Sequence, residues 1–420
     1  MVLSLAVILG LPERWPAPLT IGVWLALWAL YLSIVNVGQT FYAFGWETLL
    51  LEAGFLAAFL GPADVAGPAP LVWLFRWLLF RLEFGAGLIK LRGDPCWRDL
   101  TCLYYHHETQ PMPNPLSWWF HHLPRPLHRI EVLGSHFAQL VAPVLLFFPQ
   151  PIAALAGAVM AVTQSWLVLS GNFSWLNLTT IVLTASAFDD RQLGRVLHAG
   201  HAATAAPVWY DLLVLALTAL VLALSIRPAR NLLSRDQLMN ASFEPLHLVN
   251  TYGAFGSIER ERFEVVVEGT SDERLGPDTV WREYEFRGKP TAPGRRPVQW
   301  APYHLRLDWL MWFAAISPTY AGSWFLAFVQ KLLEGDPATL RLLRRNPFPG
   351  APPRAVRALL YRYRFTTWRE RRETGAYWVR TRVREYLGAV RRAGTLHEVP
   401  GRANEQPDSG GLSPRGAPRV

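Results

Sequence analysis

Residues 19–37 and residues 151–170 carry no charged side chain, and residues 208–226 carry one, Asp211. A helix needs roughly 20 predominantly apolar residues to cross the hydrocarbon core of a bilayer. Soluble cores seldom repeat uncharged runs of this length, so these runs predict helices that cross a membrane. Shorter or interrupted apolar stretches lie between them. They are residues 46–60 with Glu47 and Glu52, residues 71–91 with Arg76, Arg81, Glu83 and Lys90, residues 137–148 with Pro143, and residues 175–188. Together they predict a polytopic α-helical membrane bundle of about six spans. Trp73, Trp77, Trp118, Trp119, Trp166, Trp175 and Trp209 lie in or near the span ends, where indole rings collect between lipid and water.

Charge divides the chain. Residues 1–228 hold 11 Arg/Lys against 12 Asp/Glu, whereas residues 229–420 hold 30 against 20. Only three of the 41 basic residues are lysine, which reads as the codon usage of a GC-rich genome rather than an arginine-specific function. Two cysteines exclude a disulfide scaffold and a Cys-rich zinc module. Residues 1–10 are too short to span and lack the basic start of a signal peptide. They read as the tail of a helix that begins upstream.

The texture changes after Arg227. The expected domains are a membrane-spanning helical domain over 1–228, a non-membrane C-terminal domain over 229–400, and a disordered Gly/Pro/Ser tail over 401–420. The C-terminal domain reads as α+β with a small antiparallel sheet or sandwich. FEVVVE (263–268), VWREYEFR (280–287) and YWVRTRVREY (377–386) have strand character. Residues 305–315, 320–333 and 338–343 read as helices, and 354–363 as a basic helix. The basic stretches at Arg295–Arg296 and 354–372 read as solvated faces or as attraction to anionic lipid. No nucleic-acid partner is expected.

The phosphate-cradling, dinucleotide, GxSxG, HExxH and paired CxxC signatures are absent, and no cofactor is expected. One dense polar stretch runs from Arg81 to Asn114. Charges inside apolar spans usually face the protein interior, so Arg81 is expected to pair with Glu83, and Lys90 with Asp94. Lys90 is either a cation snorkelling at a helix end or a base with a depressed pKa. Cys96 and Cys102 either close a disulfide loop or remain free thiols; their spacing does not choose. Six of the eleven histidines, His106, His107, His121, His122, His128 and His136, cluster at 106–136 and with Glu108 could form a metal site. His106, His107 and Glu108 are the named candidate ligands, although adjacent histidines point in different directions. Interfacial histidines in a Trp-rich loop are the alternative. Glu47 and Glu52 stand at i, i+5, so each is expected to answer a different cation, such as Arg76 or Arg81.

Several long segments carry a family pattern. They include GQTFYAFGWETLLLEAGFLA (38–57), FGAGLIKLRGDPCWRDLTCLYYHHETQPMPNPLSWWFHHLP (84–124), SGNFSWLNLTTIVLTASAFDD (170–190), NTYGAFGSIERERFEVVVEGTSD (250–272) and NPFPGAPPRAVRALLYRYRFT (346–366). Over about residues 17–390 the sequence resembles the lipase maturation factor family. That resemblance implies a multi-span membrane protein with a non-membrane C-terminal domain. It implies a chaperone-like factor that helps secreted lipases fold and assemble, with no established catalytic residue. Its location would be the endoplasmic reticulum membrane in eukaryotes, or the inner membrane in a bacterium. The implied partners are secreted lipase clients and membrane lipids. Trp281, Tyr284, Trp300, Tyr303, Trp309 and Trp312 are the expected client contacts, being aromatic. Family members usually begin with an earlier membrane segment, so this chain is expected to start inside the next. A second resemblance, through GAGLIKLRGDPCW (85–97), is to the lysine-bearing segment of the vitamin K-dependent carboxylase superfamily. It implies the alternative of a membrane enzyme that uses Lys90 as base.

Overall fold

The computed structural model describes residues 1–62, 64–197 and 204–392; the expected tail at 401–420 lies outside them. The chain forms two compact units. One comprises Met1–Arg260 with Pro297–Arg306, the other Glu261–Arg296 with Leu307–Val420. The division expected after residue 228 therefore falls inside the first unit.

The first unit is helical. Three of its helical segments are long and apolar enough to cross a membrane: Ala17–Tyr42, Ile152–Ser170 and Val208–Leu233. Their outer faces are apolar, with Leu19, Ile34, Leu155, Val162, Leu215 and Leu222 all exposed. Leaving such side chains in water costs on the order of 1.5–3 kcal/mol each, a cost that lipid removes. The other apolar stretches form helices that are shorter or charged. Gly45–Ala57 has 13 residues and Leu176–Thr184 has nine. Ala69–Arg92 has 24 residues but carries five charged side chains.

Ala69–Arg92 supplies the centre of this unit. Its Leu71, Leu74, Leu78, Leu79 and Leu82 pack with Leu49, Leu56, Met160, Leu183 and Val214. Pro70 sits in its first turn, where a missing N–H costs nothing. The helix stops at Gly93, where any Cβ would collide with the carbonyl oxygens of Gly256 and Ile89. Asp94 N donates to Gly256 O at 2.8 Å, and the Asp94 carboxylate then caps the short Pro95–Arg98 turn. Backbone packing thus fixes where the polar stretch leaves the helix.

The second unit is built on one four-stranded antiparallel sheet, in the order β2-β1-β3-β4. The strands are β1 (Arg262–Thr270), β2 (Arg282–Glu283), β3 (Ala355–Phe365) and β4 (Trp378–Arg391). β1 pairs with β3 from Arg262↔Tyr363 to Thr270↔Ala355. Val265 and Val267 of β1, with Val356, Ala358 and Leu360 of β3, share one core with Met311, Phe325, Phe328 and Leu332. Their spacing of two is that of one sheet face. The helices Arg306–Ile316 and Gly322–Glu334 provide the packing partners.

Two expectations change here. Residues 354–363 are not a basic helix but most of β3. Arg357 and Arg362 lie opposite Glu268 and Phe263 across the strand pair, and Val356, Leu359, Leu360 and Tyr363 are buried. Cross-strand partners and β-branched or aromatic side chains decide such a segment. VWREYEFR contributes only the two-residue β2, at the sheet edge.

Candidate functional site

The helical unit buries several charges, and each is held by a defined network. Glu52, from the Gly45–Ala57 helix, forms an ion pair with Arg81. Its Oε2 also accepts from Asn250 N and Nδ2, both at 3.0 Å, and from Tyr252 OH at 2.7 Å. Arg81 Nη1 donates to Asn250 O at 2.6 Å. Glu47 meets Arg306 Nη2 at 3.0 Å and His304 Nδ1 at 3.4 Å. Arg76 donates instead to the carbonyls of Ser186 and Leu146.

The Arg81–Glu83 and Lys90–Asp94 pairs expected from sequence do not form. Residues two apart on a helix do not face each other, so Glu83 points to a different neighbour. It accepts from Gln139 Nε2 at 3.2 Å and from Gln164 Nε2 at 2.5 Å. Asn177 Nδ2 in turn donates to Gln164 Oε1 at 2.6 Å. Lys90 Nζ donates to Gln139 Oε1 at 2.8 Å and Ser135 Oγ at 3.2 Å, and lies 4.6 Å from the Trp97 ring centroid. Because the helix ends before it, Asp94 turns away and pairs with Arg260 at 2.8 Å. The snorkelling reading of Lys90 also fails, since the residue is buried.

Beyond Gly93 the chain folds into a tight polar segment. Cys96 and Cys102 are joined by a disulfide and pack with Trp97, Val132 and Ile258. The three candidate metal ligands separate. His106 packs edge-on to Phe255, with centroids 5.0 Å apart. Glu108 faces His121 at 3.7 Å. His107 meets His128 and Glu131, with ligating atoms all within 4.8 Å. Burial works to raise the Glu131 carboxyl, but the His107 and His128 rings outweigh it and hold it at about 2. Sequence reasoning missed Glu131 and counted His128 only as one of six clustered histidines. The i, i+3 spacing of His128 and Glu131 was the available signal, since it places both on one helix face.

The expected client contacts also divide. Tyr284 and Trp309 are core residues, with 0% and 3% of their surface exposed. They cannot offer a surface to a partner as folded. Trp281, Trp300 and Trp312 are half-buried, and Tyr303 is exposed. Trp281 lies beneath the Arg357 guanidinium, 4.0 Å from ring centroid to Cζ.

Comparison with known proteins matches both units. Residues 1–195 match the lipase maturation factor transmembrane domain, and residues 248–388 match the lipase maturation factor C-terminal domain. The chain belongs to the lipase maturation factor family. It is 45% identical over 398 residues to lipase maturation factor 1 of Bos taurus, covering 87% of this chain and 71% of that protein. It is 44% identical over 392 residues to lipase maturation factor 1 of Homo sapiens, covering 86% and 69%. Lipase maturation factor 2 of Homo sapiens is 30% identical over 516 residues, covering 93% and 71%. No solved structure matches it. The transmembrane-domain match and the three long apolar helices make this chain an integral membrane protein. The family match covers the Lys90 segment and does not favour the carboxylase-like alternative.

Proposed function

We propose that this protein is a membrane-bound, chaperone-like factor that assists the folding and assembly of secreted lipases. The observation that carries the reading is the 44–45% identity to proteins named lipase maturation factor 1, which extends over 86–87% of the chain. The fitting location is the endoplasmic reticulum membrane for a eukaryotic chain and the inner membrane for a bacterial one. About six spans are proposed for the bundle. Ala69–Arg92 is long enough to add a fourth to the three long apolar segments. Gly45–Ala57 and Leu176–Thr184, at 13 and nine residues, would need flanking residues to complete a crossing. No side chain is assigned a catalytic role. Among the aromatic residues considered for client contact, Tyr303 is the most exposed, at 62%, and carries that part of the proposal.

The test is rescue. A secreted lipase is produced in cells that lack their own maturation factor, with and without this chain. The expected result is a rise in activity per molecule of secreted lipase when the chain is present. Equal activity per molecule, with the chain present in the membrane, would overturn the reading.

A further inference from the structure

The helices Leu103–Thr109 and Arg125–His136 bring three potential ligands to one place. His107 comes from the first helix. His128 and Glu131 come from one face of the second, and one ligating atom of each residue lies within 4.8 Å of the others. The His107 and His128 side chains are 4% and 2% exposed, and that of Glu131 is 13% exposed.

Hydrogen bonding leaves this cluster incomplete. Both ring nitrogens of His107, and Nε2 of His128, are buried without a hydrogen-bond partner. His107 Nε2 stands 4.0 Å from Glu131 Oε2, beyond hydrogen-bond reach. Buried polar atoms are almost always satisfied, so unpaired imidazole nitrogens beside a carboxylate call for a partner. The surroundings hold the donors in place. Trp166 Nε1 donates to Glu131 Oε1 at 2.9 Å, and Glu131 Oε2 is the oxygen that faces both rings. Phe120 packs on His107 and Tyr104 against His128, with centroids 5.5 and 5.9 Å apart. Two imidazoles and one carboxylate suit zinc and similar divalent transition metals, whereas calcium and magnesium seek oxygen ligands throughout.

We propose that His107, His128 and Glu131 bind a divalent transition-metal ion of the zinc class, which ties the two helices together. Three protein ligands leave a tetrahedral ion one position for water. The competing arrangement is the His128–Glu131 contact alone, at 3.0 Å, with His107 packed beside it. That arrangement leaves both His107 nitrogens unpaired and takes up no metal.

The test uses the full chain, purified in detergent, stripped of metal and titrated with Co2+. The readout is visible d–d absorption, followed by competition with Zn2+. The expected result is a single Co2+ per chain in a tetrahedral-type spectrum, bleached by Zn2+. His128→Gln and Glu131→Gln should each weaken Co2+ binding by more than roughly ten-fold, while Glu334→Gln in the other unit should leave it unchanged. X-ray absorption of the Co2+-loaded wild-type chain should show scattering from two imidazoles, and this needs no variant to fold. Absence of Co2+ uptake by the folded wild-type chain would overturn the proposal. So would wild-type binding in the two variants, or a Co2+ shell without imidazole.

Discussion

The two units differ in how they hold most of their charge, although both bury some: Arg262, Glu264 and Lys289 form a buried ionic cluster in the sheet unit. In the helical unit, Glu52, Arg81, Glu83 and Lys90 are buried, and amides, hydroxyls and backbone carbonyls supply hydrogen bonds to them. In the sheet unit many arginines lie at the surface and reach single glutamates. Arg362–Glu261 and Arg364–Glu370 are ion pairs of this kind. The difference follows from the solvent. Side chains that face lipid cannot solvate a charge, so charges turn inward and must be satisfied there. Beside water, an ion pair competes with hydration and contributes little. Arginine should therefore be costly to remove where it is buried, as at Arg81, and cheap where it is exposed, as at Arg362.

The largest expected effect is at the Glu52–Arg81 pair. Arg81→Leu leaves the Glu52 carboxylate buried without its cation, which should cost about 3–5 kcal/mol. Thermal unfolding in detergent would show it as a large fall in midpoint or as loss of folded protein. A variant as stable as wild type would break the comparison. Next is Gly93→Ala. The added Cβ meets backbone carbonyls of Ile89 and Gly256, which have no rotamer with which to move aside. The expected loss is about 1–3 kcal/mol, in the same assay.

A smaller, pH-dependent effect belongs to Asp308 in the sheet unit. Burial pushes its carboxyl above the ordinary range, against hydrogen bonds from Lys289 N and Gly288 N. A carboxyl raised by folding stabilises the fold at low pH and loses that contribution as pH rises through its raised value. Local stability should therefore fall on raising pH above about 4, and Asp308→Asn should flatten the fall. Hydrogen exchange at the amides of Gly288 and Lys289 reads it directly, and equal pH slopes would contradict the assignment. The smallest effect is expected for Arg362→Ala, whose ion pair is about half exposed on both sides. It should change stability by about 0–1 kcal/mol. A loss as large as that of Arg81→Leu would remove the distinction between buried and exposed arginines.

Legibility followed the same division. The long uncharged runs could be read as spans because length and apolarity are properties of the sequence itself. β1 and the Arg306–Ile316 helix were legible for similar local reasons. β3 was not, because its character depends on β1 and β4 pairing on either side of it. The buried partners were also hidden. Glu52 and Arg81 are 29 residues apart, and Asn250 lies 169 residues beyond Arg81. One part of the helical unit comes from far along the chain. Pro297–Arg306 belongs with the helical unit, where Asn172 Oδ1 accepts from the backbone of Trp300 and Ala301. Nothing local announces that anchor. The His107, His128 and Glu131 cluster was half legible, through a helical spacing that sequence reading passed over in favour of adjacent histidines.

The claim beneath this comparison is that the helical unit is built for lipid. Extraction of membranes with alkaline carbonate tests it most directly, because that treatment releases peripheral proteins and leaves spanning ones in place. The intact chain should stay with the membrane pellet and enter solution only with detergent. Recovery of the intact chain in the soluble fraction without detergent would contradict it.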